Sequence, residues 1–462
     1  MKNITVGDII NVTKGKLEAG EESTLCENFC IDTRKIKEKD IHVGLLNEEA
    51  NGGIFYKDAF EKGAIGCIIQ DVEITEEDKK KYKDKFIIKV DDTLKALQQI
   101  AEYKRSFYNI PVIAITGSVG KTSTKDMVAS VVSQKYKTLK TEGNYNNHIG
   151  VPLTILNLKD HEAMVVEMGM NHFGEISLLT NIAKPTVAVI TNVGTAHIGN
   201  LGSRENILKA KLEILEGLQD GGKLIINNDN DLLNKWNTKN NIVDTVTFGI
   251  ENKSDVMAEN IIDKEDGSTY ILKGENEKIE VPVGGRHFVL NSLCGIAVGK
   301  ALGISIENIK EGIRNFELTK KRMDISKIEN NITIINDCYN ANYDSMKAAI
   351  EYLGKIQNAR KIAVLGDMLE LGDFSKELHE KVGEEVEKNN IDILVVVGTE
   401  AKYIKQKAIE KGFDKDRIIE CETNIEAAEK IGNIMKENDY ILFKASNGMH
   451  FGEIIDNLGK RG

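Results

Sequence analysis

The stretch from Ile110 to Thr124, I-P-V-I-A-I-T-G-S-V-G-K-T-S-T, decides how this chain is built. Val112 to Ile115 is a short apolar run of the kind that forms a buried strand. It breaks at Gly117, and a helical pattern then runs to about Val132. Strand, glycine turn and helix start together form a phosphate cradle. The glycines let backbone N–H groups approach an anion, the helix dipole adds partial positive charge, and Lys121 supplies a full one. Gly117, Ser118, Val119, Gly120, Lys121, Thr122 and Ser123 are therefore the expected contacts to a nucleoside triphosphate. The Thr122 hydroxyl is placed for Mg2+. A plain glycine turn beside a surface lysine is the competing account, and the full strand–loop–helix context speaks against it. The usual loop reads G-x-x-x-x-G-K-[ST]; this one, G-x-x-G-K-T, is shorter by two residues.

Outward from the loop, residues 106–318 alternate strand and helix in the manner of a parallel βαβ sheet. Strands are expected at Met164–Glu167, Val187–Thr191 and Lys223–Asn227, with helices at Gly174–Ile182 and Ser203–Leu218. Between Val243 and Val283 the pattern shifts to short β-like runs, and a helix follows from about His287 to Leu302. Residues 1–105 read as a small mixed unit. It has strands at Ile65–Ile69 and Phe86–Val90, a solvated charged stretch at Lys79–Lys85, and a helix from Thr93 to Phe107. Residues 319–462 alternate again, with strands at Ile332–Asn336, Lys361–Leu365, Ile391–Val397 and Tyr440–Phe443. No G-x-G-x-x-G opens this third unit, so it need not bind a dinucleotide of its own.

A chain of 462 residues is too long for one ordinary core, which agrees with several domains. Net charge is −11 with no Lys/Arg block, which argues against a nucleic-acid partner. No apolar run approaches the roughly 20 residues that span a bilayer. Met1 to Ile10 lacks the apolar core of a secretory signal. Six scattered cysteines, of which only Cys26 and Cys30 lie close in sequence, fit a reducing cytoplasm better than a zinc site.

Polar groups at expected strand ends mark where an open α/β sheet binds ligands. Glu167 ends one strand and His197 follows another in T-N-V-G-T-A-H. A carboxylate and an imidazole there suit a divalent cation beside the phosphates, although each taken alone is more often a capping or surface group. Beside His148, Asn144, Asn146 and Asn147 are in the usual case turn formers, and here also fit as amide donors to an anionic substrate. His287 and Asn291 lie one helical turn apart, facing one site or serving as cap and surface amide. In the third unit a strand runs into Asp337-Cys338-Tyr339-Asn340-Ala341-Asn342, where Asp337 is either a ligand or a helix cap. Arg322 lies near the joint of the second and third units, where closure would bring a cation onto ATP.

These segments resemble a family. The short loop, N-N-H-I-G-V-P, E-M-G, T-N-V-G-T-A-H and A-K-L-E-I are similar to the Mur ligases of peptidoglycan synthesis. D-C-Y-N-A-N-Y-D-S-M and V-L-G-D-M-L-E-L-G-D-F-S-K-E-L-H resemble the branch that joins D-alanyl-D-alanine to a UDP-muramoyl-tripeptide. The likeness covers the second and third units well and the first weakly, through Asp32-Thr33-Arg34 and Ala59–Ile69. It implies an α/β protein of three domains. A small mixed UDP-substrate domain would span 1–105, a central P-loop parallel-sheet ATPase domain 106–318, and a Rossmann-like ligase domain 319–462. It also implies ATP-driven amide ligation through an acyl phosphate in a cytoplasmic monomer, a reaction that needs Mg2+ and cations to spread phosphoryl charge.

By the same resemblance Lys121 contacts the γ-phosphate, while Thr122, Glu167 and His197 serve magnesium. Lys211 would be carbamylated and join the metal ligands, where unaided sequence reads an ordinary solvated helix lysine. Asn291 would face adenine, and Arg322 and Asp337 would hold the nucleotide. Thr33, Arg34, Asn144, Asn146, Asn147, Tyr339, Asn340 and Asn342 would hold the acid and amine substrates. The chain departs from the family pattern at four places. Gly44–Phe55 lacks an expected lysine and histidine, Phe288 replaces an asparagine, Tyr343 a proline, and the segment at Lys444 reads K-A-S-N rather than K-G-S-R. Two alternatives stay open: a related ligase for a different acid and amine, or a P-loop NTPase switch.

Overall fold

In a computed structural model, residues 3–264, 267–317 and 323–459 are described. Val112–Thr116, buried at every residue, is the third strand from one edge of a nine-stranded sheet. It lies parallel to Ala163–Glu167 on one side and Val187–Ile190 on the other. The register pairs Ile115 with Glu167 and Thr116 with Ile190. Gly117, Met168 and Thr191 therefore leave the sheet at one edge, the carboxyl edge where such sheets hold ligands. Apolar, β-branched sequence on all three strands is what a sheet covered on both faces requires.

The central sheet is not parallel throughout. Val256–Lys264, Gly267–Leu272 and Glu277–Val281 form an antiparallel meander at its far edge. Along Gly267–Leu272 buried and half-buried residues alternate, so one face packs inward, as a hairpin strand allows and a doubly covered strand does not. The helix expected over Ser203–Leu218 ends at Leu212 and tightens into a 3-10 turn at Glu213–Gly217. The tighter turn brings the Glu213 carboxylate to the N–H groups of Gly174 and Ser177 (2.8 and 3.2 Å), capping the helix Glu175–Ala183.

A six-stranded sheet carries the third unit. Its order is Asp324–Ile328, Ile332–Asn336, Tyr440–Lys444, Lys361–Gly366, Ile393–Val397 and Ile418–Cys421, and only the first strand is antiparallel. The first unit holds a five-stranded sheet over Lys16–Lys89 and a two-stranded pairing of Ile4–Thr5 with Leu25–Cys26. The charged stretch near Lys79 is largely helix, Glu76–Lys81, with Asp78 buried and bonded to Tyr56 and Thr75. Among the described residues no helix is long and apolar enough to cross a membrane, and all six cysteines are free.

The first unit is fastened to the second through the end of helix Thr93–Arg105, which stops two residues short of the expected Phe107. Lys104 is buried and donates to Leu156 O (2.6 Å) at the C-terminus of helix Gly150–Leu156; burial pulls its pKa down to about 8. Arg105 donates to Ala183 O (2.7 Å), Lys184 O (3.1 Å) and Tyr108 O. Two successive cations thus meet the negative ends of two neighbouring helices. Arg105→Met should lower unfolding free energy by at least about 2 kcal/mol, because three carbonyls lose a charged donor. Urea titration checks this, and an unchanged midpoint would refute the fastening.

Candidate active site

The phosphate loop is shaped by the segment that follows Val187–Ile190. Asn192 Oδ1 accepts from the N–H groups of Ser118 and Val119 (3.0 and 2.9 Å), and its Nδ2 donates to Val119 O (2.9 Å). Thr191 Oγ1 donates to the same carbonyl (2.9 Å), and Gly194 N–H donates to Ser118 Oγ (2.9 Å). Position 117 has to be glycine: a Cβ there would fall 1.9 Å from Thr191 Oγ1. Helix Lys121–Val132 starts directly behind the loop, and its first-turn N–H groups face outward as at any helix N-terminus. Lys121 Nζ curls back to Gly117 O (2.8 Å). Neither Asn192 nor Thr191 stands out as a loop clamp in the sequence, since the signal is only a polar pair behind a strand.

Ser118, Val119, Gly120, Lys121, Thr122 and Ser123 line a cleft of about 420 Å3 between the second and third units. Glu167 stands at the strand tip beside them and is 1% exposed. One of its oxygens accepts from Asn146 Nδ2 (2.7 Å); the other, Oε2, is buried and has no hydrogen-bond partner. A bare carboxylate oxygen out of water is costly unless a cation meets it. Thr122 and His197 line the same cleft, so hydroxyl, carboxylate and imidazole suit an oxygen-seeking divalent cation that takes its remaining ligands from phosphate. Among the described residues no three His, Cys, Asp or Glu side chains come together, so the protein alone does not form a complete metal cage.

His197 has a left-handed backbone (φ 63°) and its Nδ1 lies 3.0 Å from Glu370 Oε2. Burial, followed by the charges of Lys121 and Lys211, holds the ring down to about 4. Lys211, 1% exposed, is not the solvated helix lysine that its sequence context suggests. Burial, with Lys121 second, holds its pKa well below the usual lysine range. Lys211 stands behind the cleft wall and does not itself line it.

The third unit supplies the opposite wall. Asp337 pairs with Lys444 Nζ (2.5 Å) and accepts from Met323 N–H (3.2 Å), so it is not a helix cap. The cap of helix Tyr343–Lys355 is Asn342, in a capping box with Ser345. Asn340 O also accepts from Lys444 (3.2 Å), and Tyr339, Asn340 and Asn342 all face the cleft. Asn291 and His287 reach it from helix Arg286–Ala301, with Asn291 Oδ1 accepting from Thr124 Oγ1 (2.9 Å). Burial pushes His287 down to about 4. Asp344 ties the walls together by accepting from Thr195 N–H (2.8 Å) and Thr195 Oγ1 (2.9 Å).

The cleft therefore gathers most of the residues singled out in the sequence, but not all. Asn146, Asn147 and His148 line it; Asn144 does not, and Asn147 Oδ1 serves as a turn acceptor for Ile149 and Gly150. Thr33 and Arg34 lie apart in the first unit, where Arg34 makes two bonds of 2.9 Å to Asp32. Arg322 falls outside the described residues. Lys444, Asp344 and Glu370 carry site contacts that sequence spacing did not assign.

Family models of the Mur ligase middle domain and the Mur ligase glutamate ligase domain match residues 115–299 and 321–447. The UDP-N-acetylmuramoyl-tripeptide–D-alanyl-D-alanine ligase of Bacillus subtilis (strain 168) is 37% identical over 458 residues, covering 98% of each chain. The enzyme of the same name from Escherichia coli (strain K12) is 32% identical over 411 residues, covering 87% of this chain and 88% of its own. A crystal structure of MurF from Acinetobacter baumannii superposes with a TM-score of 0.89 at 29% identity, covering 100% of this chain and 99% of that one. MurF ligase from Thermotoga maritima in complex with ADP gives 0.80 at 27% identity, covering 94% and 97%. The chain belongs to the Mur ligase family.

The half-buried His197, held towards its neutral form, has a consequence for acid stability. Well above pH 6.5 His197 is uncharged in both the folded and unfolded chain and contributes nothing. As pH falls towards about 4 the unfolded ring protonates first, so the native state loses up to roughly 3 kcal/mol, levelling off below. His197→Asn should remove that part of the slope. Parallel stability-against-pH curves for the two proteins, from urea titrations between pH 7 and pH 4, would refute it.

Proposed function

We propose that this chain is an ATP-dependent, ADP-forming amide ligase that adds D-alanyl-D-alanine to UDP-N-acetylmuramoyl-tripeptide. One observation carries the reading. A glycine loop with Lys121 and a bare carboxylate oxygen at Glu167 line one cleft whose far wall is the third unit, and the desolvated Lys211 lies near enough for its charge to act on His197. The family, and relatives of that name over nearly the full length, support it. In such a ligation the acid substrate's carboxylate takes the γ-phosphoryl group, the incoming amine attacks the acyl phosphate, and phosphate leaves.

Each residue has a task in this scheme. The loop N–H groups and Lys121 hold the phosphates and offset the charge that develops on transfer. Thr122, Glu167 and His197 would hold Mg2+, which supplies charge neutralisation across phosphoryl oxygens. Burial holds the Lys211 pKa well below the usual lysine range, which favours the neutral amine that reacts with CO2. Its carbamate would turn a repelling cation into an anionic oxygen ligand. Asn291 would face adenine, and Arg322 and Asp337, the latter paired with Lys444, would hold the nucleotide from the joint and third unit. Asn146, Tyr339, Asn340 and Asn342 line the substrate side, and Thr33 and Arg34 belong to a separate UDP-sugar site in the first unit. The domain limits in this reading are 1–105, 106–318 and 319–462, and the enzyme works as a cytoplasmic monomer. The altered Gly44–Phe55 and K-A-S-N segments favour, as a second reading, the same chemistry on a different acid and amine.

Incubation with ATP, UDP-muramoyl-tripeptide and D-Ala-D-Ala, followed by mass spectrometry, should show the amide product and ADP. Nucleotide hydrolysis should stay low until both acceptors are present. Lys121→Ala should cut turnover at least about 100-fold with an unchanged fold, the scale of losing one preorganised charge-stabilising group. Near-normal turnover would exclude the loop assignment.

Lys211→Ala should also lose activity, with partial recovery on adding acetate or formate, whose carboxylate replaces the carbamate oxygens. Full activity without additive would refute the role given to Lys211.

A further inference from the structure

Two segments from different units meet beside the cleft. One is His197–Leu201, from the second unit; the other is Glu370–Phe374, from the third. Both members of the contact, His197 (φ 63°) and Glu370 (φ 63°), have left-handed backbones. Side-chain-bearing residues rarely hold that conformation unless their surroundings over-determine it. The surroundings here do so. The loops touch backbone to backbone at Gly199, where a Cβ would lie 2.6 Å from Glu370 O and 2.8 Å from Gly372 N. Behind Glu370 the chain is pinned twice: Met368 N–H donates to His379 Nε2 (2.9 Å) and Leu369 N–H to Ser446 Oγ (2.9 Å). His379 is itself buried and bonded through Nδ1 to Ser375 O (2.7 Å), so the loop has a fixed support.

We propose that Glu370 is a positioning residue that makes the cation site at His197 depend on docking of the third unit. The carboxylate can only accept at His197 Nδ1, so the proton of the neutral ring stays on Nδ1 and the lone pair on Nε2 is free for a metal. A carboxylate behind a histidine in this way fixes ring orientation and raises the basicity of the ligand nitrogen. Carboxylate and imidazole here belong to units joined by a contact between segments, so separation of the units would release the ring. Cation affinity would then report closure. The proposal rests on the assignment of His197 as a cation ligand made above.

The full chain labelled with 15N-histidine tests it without any metal. The His197 resonances, identified by their loss in His197→Asn, should show the Nδ1–H tautomer in the wild type. Glu370→Ala should shift the ring towards Nε2–H, while Glu370→Gln, whose amide oxygen still accepts, should keep the wild-type tautomer. Gly199→Ala, which wedges the loops apart and leaves both partners intact, should behave like Glu370→Ala. In parallel, Mn2+ affinity read by electron paramagnetic resonance should fall about 10-fold or more in Glu370→Ala and Gly199→Ala, and little in Glu370→Gln. An unchanged tautomer in Glu370→Ala, or unchanged Mn2+ affinity there when His197→Ala does weaken binding, overturns the proposal. If His197→Ala leaves Mn2+ binding intact, the cation assignment fails and the proposal falls with it, whereas the metal-free spectra still report whether Glu370 sets the ring.

Discussion

The carboxamide of Asn192 holds the phosphate loop from behind, and the rest of the site is hung on the segment it belongs to. Between Thr191 and His197 the chain bonds Ser118 and Val119 on one side, and Asp344 and Glu370 of the third unit on the other. Seven residues therefore join the nucleotide loop to the closing wall. A shift of this segment moves the loop's N–H groups and the third unit together. That coupling suits a reaction whose reactive acyl phosphate must be kept from water.

The electrostatics follow from burial rather than from ion pairing. Lys211 and His197 are both pushed towards their neutral forms by loss of water, with Lys121 adding to each effect. Glu167 keeps one oxygen without a partner. An arrangement of this kind is poor for stability, since a buried polar group gains only when something meets it. It is suited to a site that receives phosphate and cation together, because the partners then arrive with the ligand. The same logic separates Asp337 from Glu167: the former already has Lys444, so it presents a positioned pair and not a vacant acceptor.

Much of this was legible in the chain itself. Glycines, a lysine and a threonine behind an apolar run mark a strand–loop–helix turn, and Lys121–Val132 forms the helix expected there. Period and composition place the strands, since a strand buried on both faces needs an unbroken apolar run: Lys223–Asn227 and Ile332–Asn336 stand where they were expected. Local chemistry of this sort also points to Glu167 and His197, because strand ends at one sheet edge are where polar side chains gather.

Contacts between distant segments had no such signature. Nothing near Asn192 or Glu370 shows that one clamps residues 118 and 119, or that the other meets a ring 173 positions away. Lys211 looks like a surface lysine until the packing of its helix removes it from water. Asp337 looks like a cap until Lys444 arrives from another strand and Asn342 takes the capping role. The sequence by itself determined the α/β architecture, the strand–loop–helix turn at Gly117–Thr122 and the family, because these depend on spacing within a few dozen residues. Only the tertiary structure decided which charges are buried, which are paired, and which loops lock together, because solvation and pairing depend on what the whole fold brings into contact.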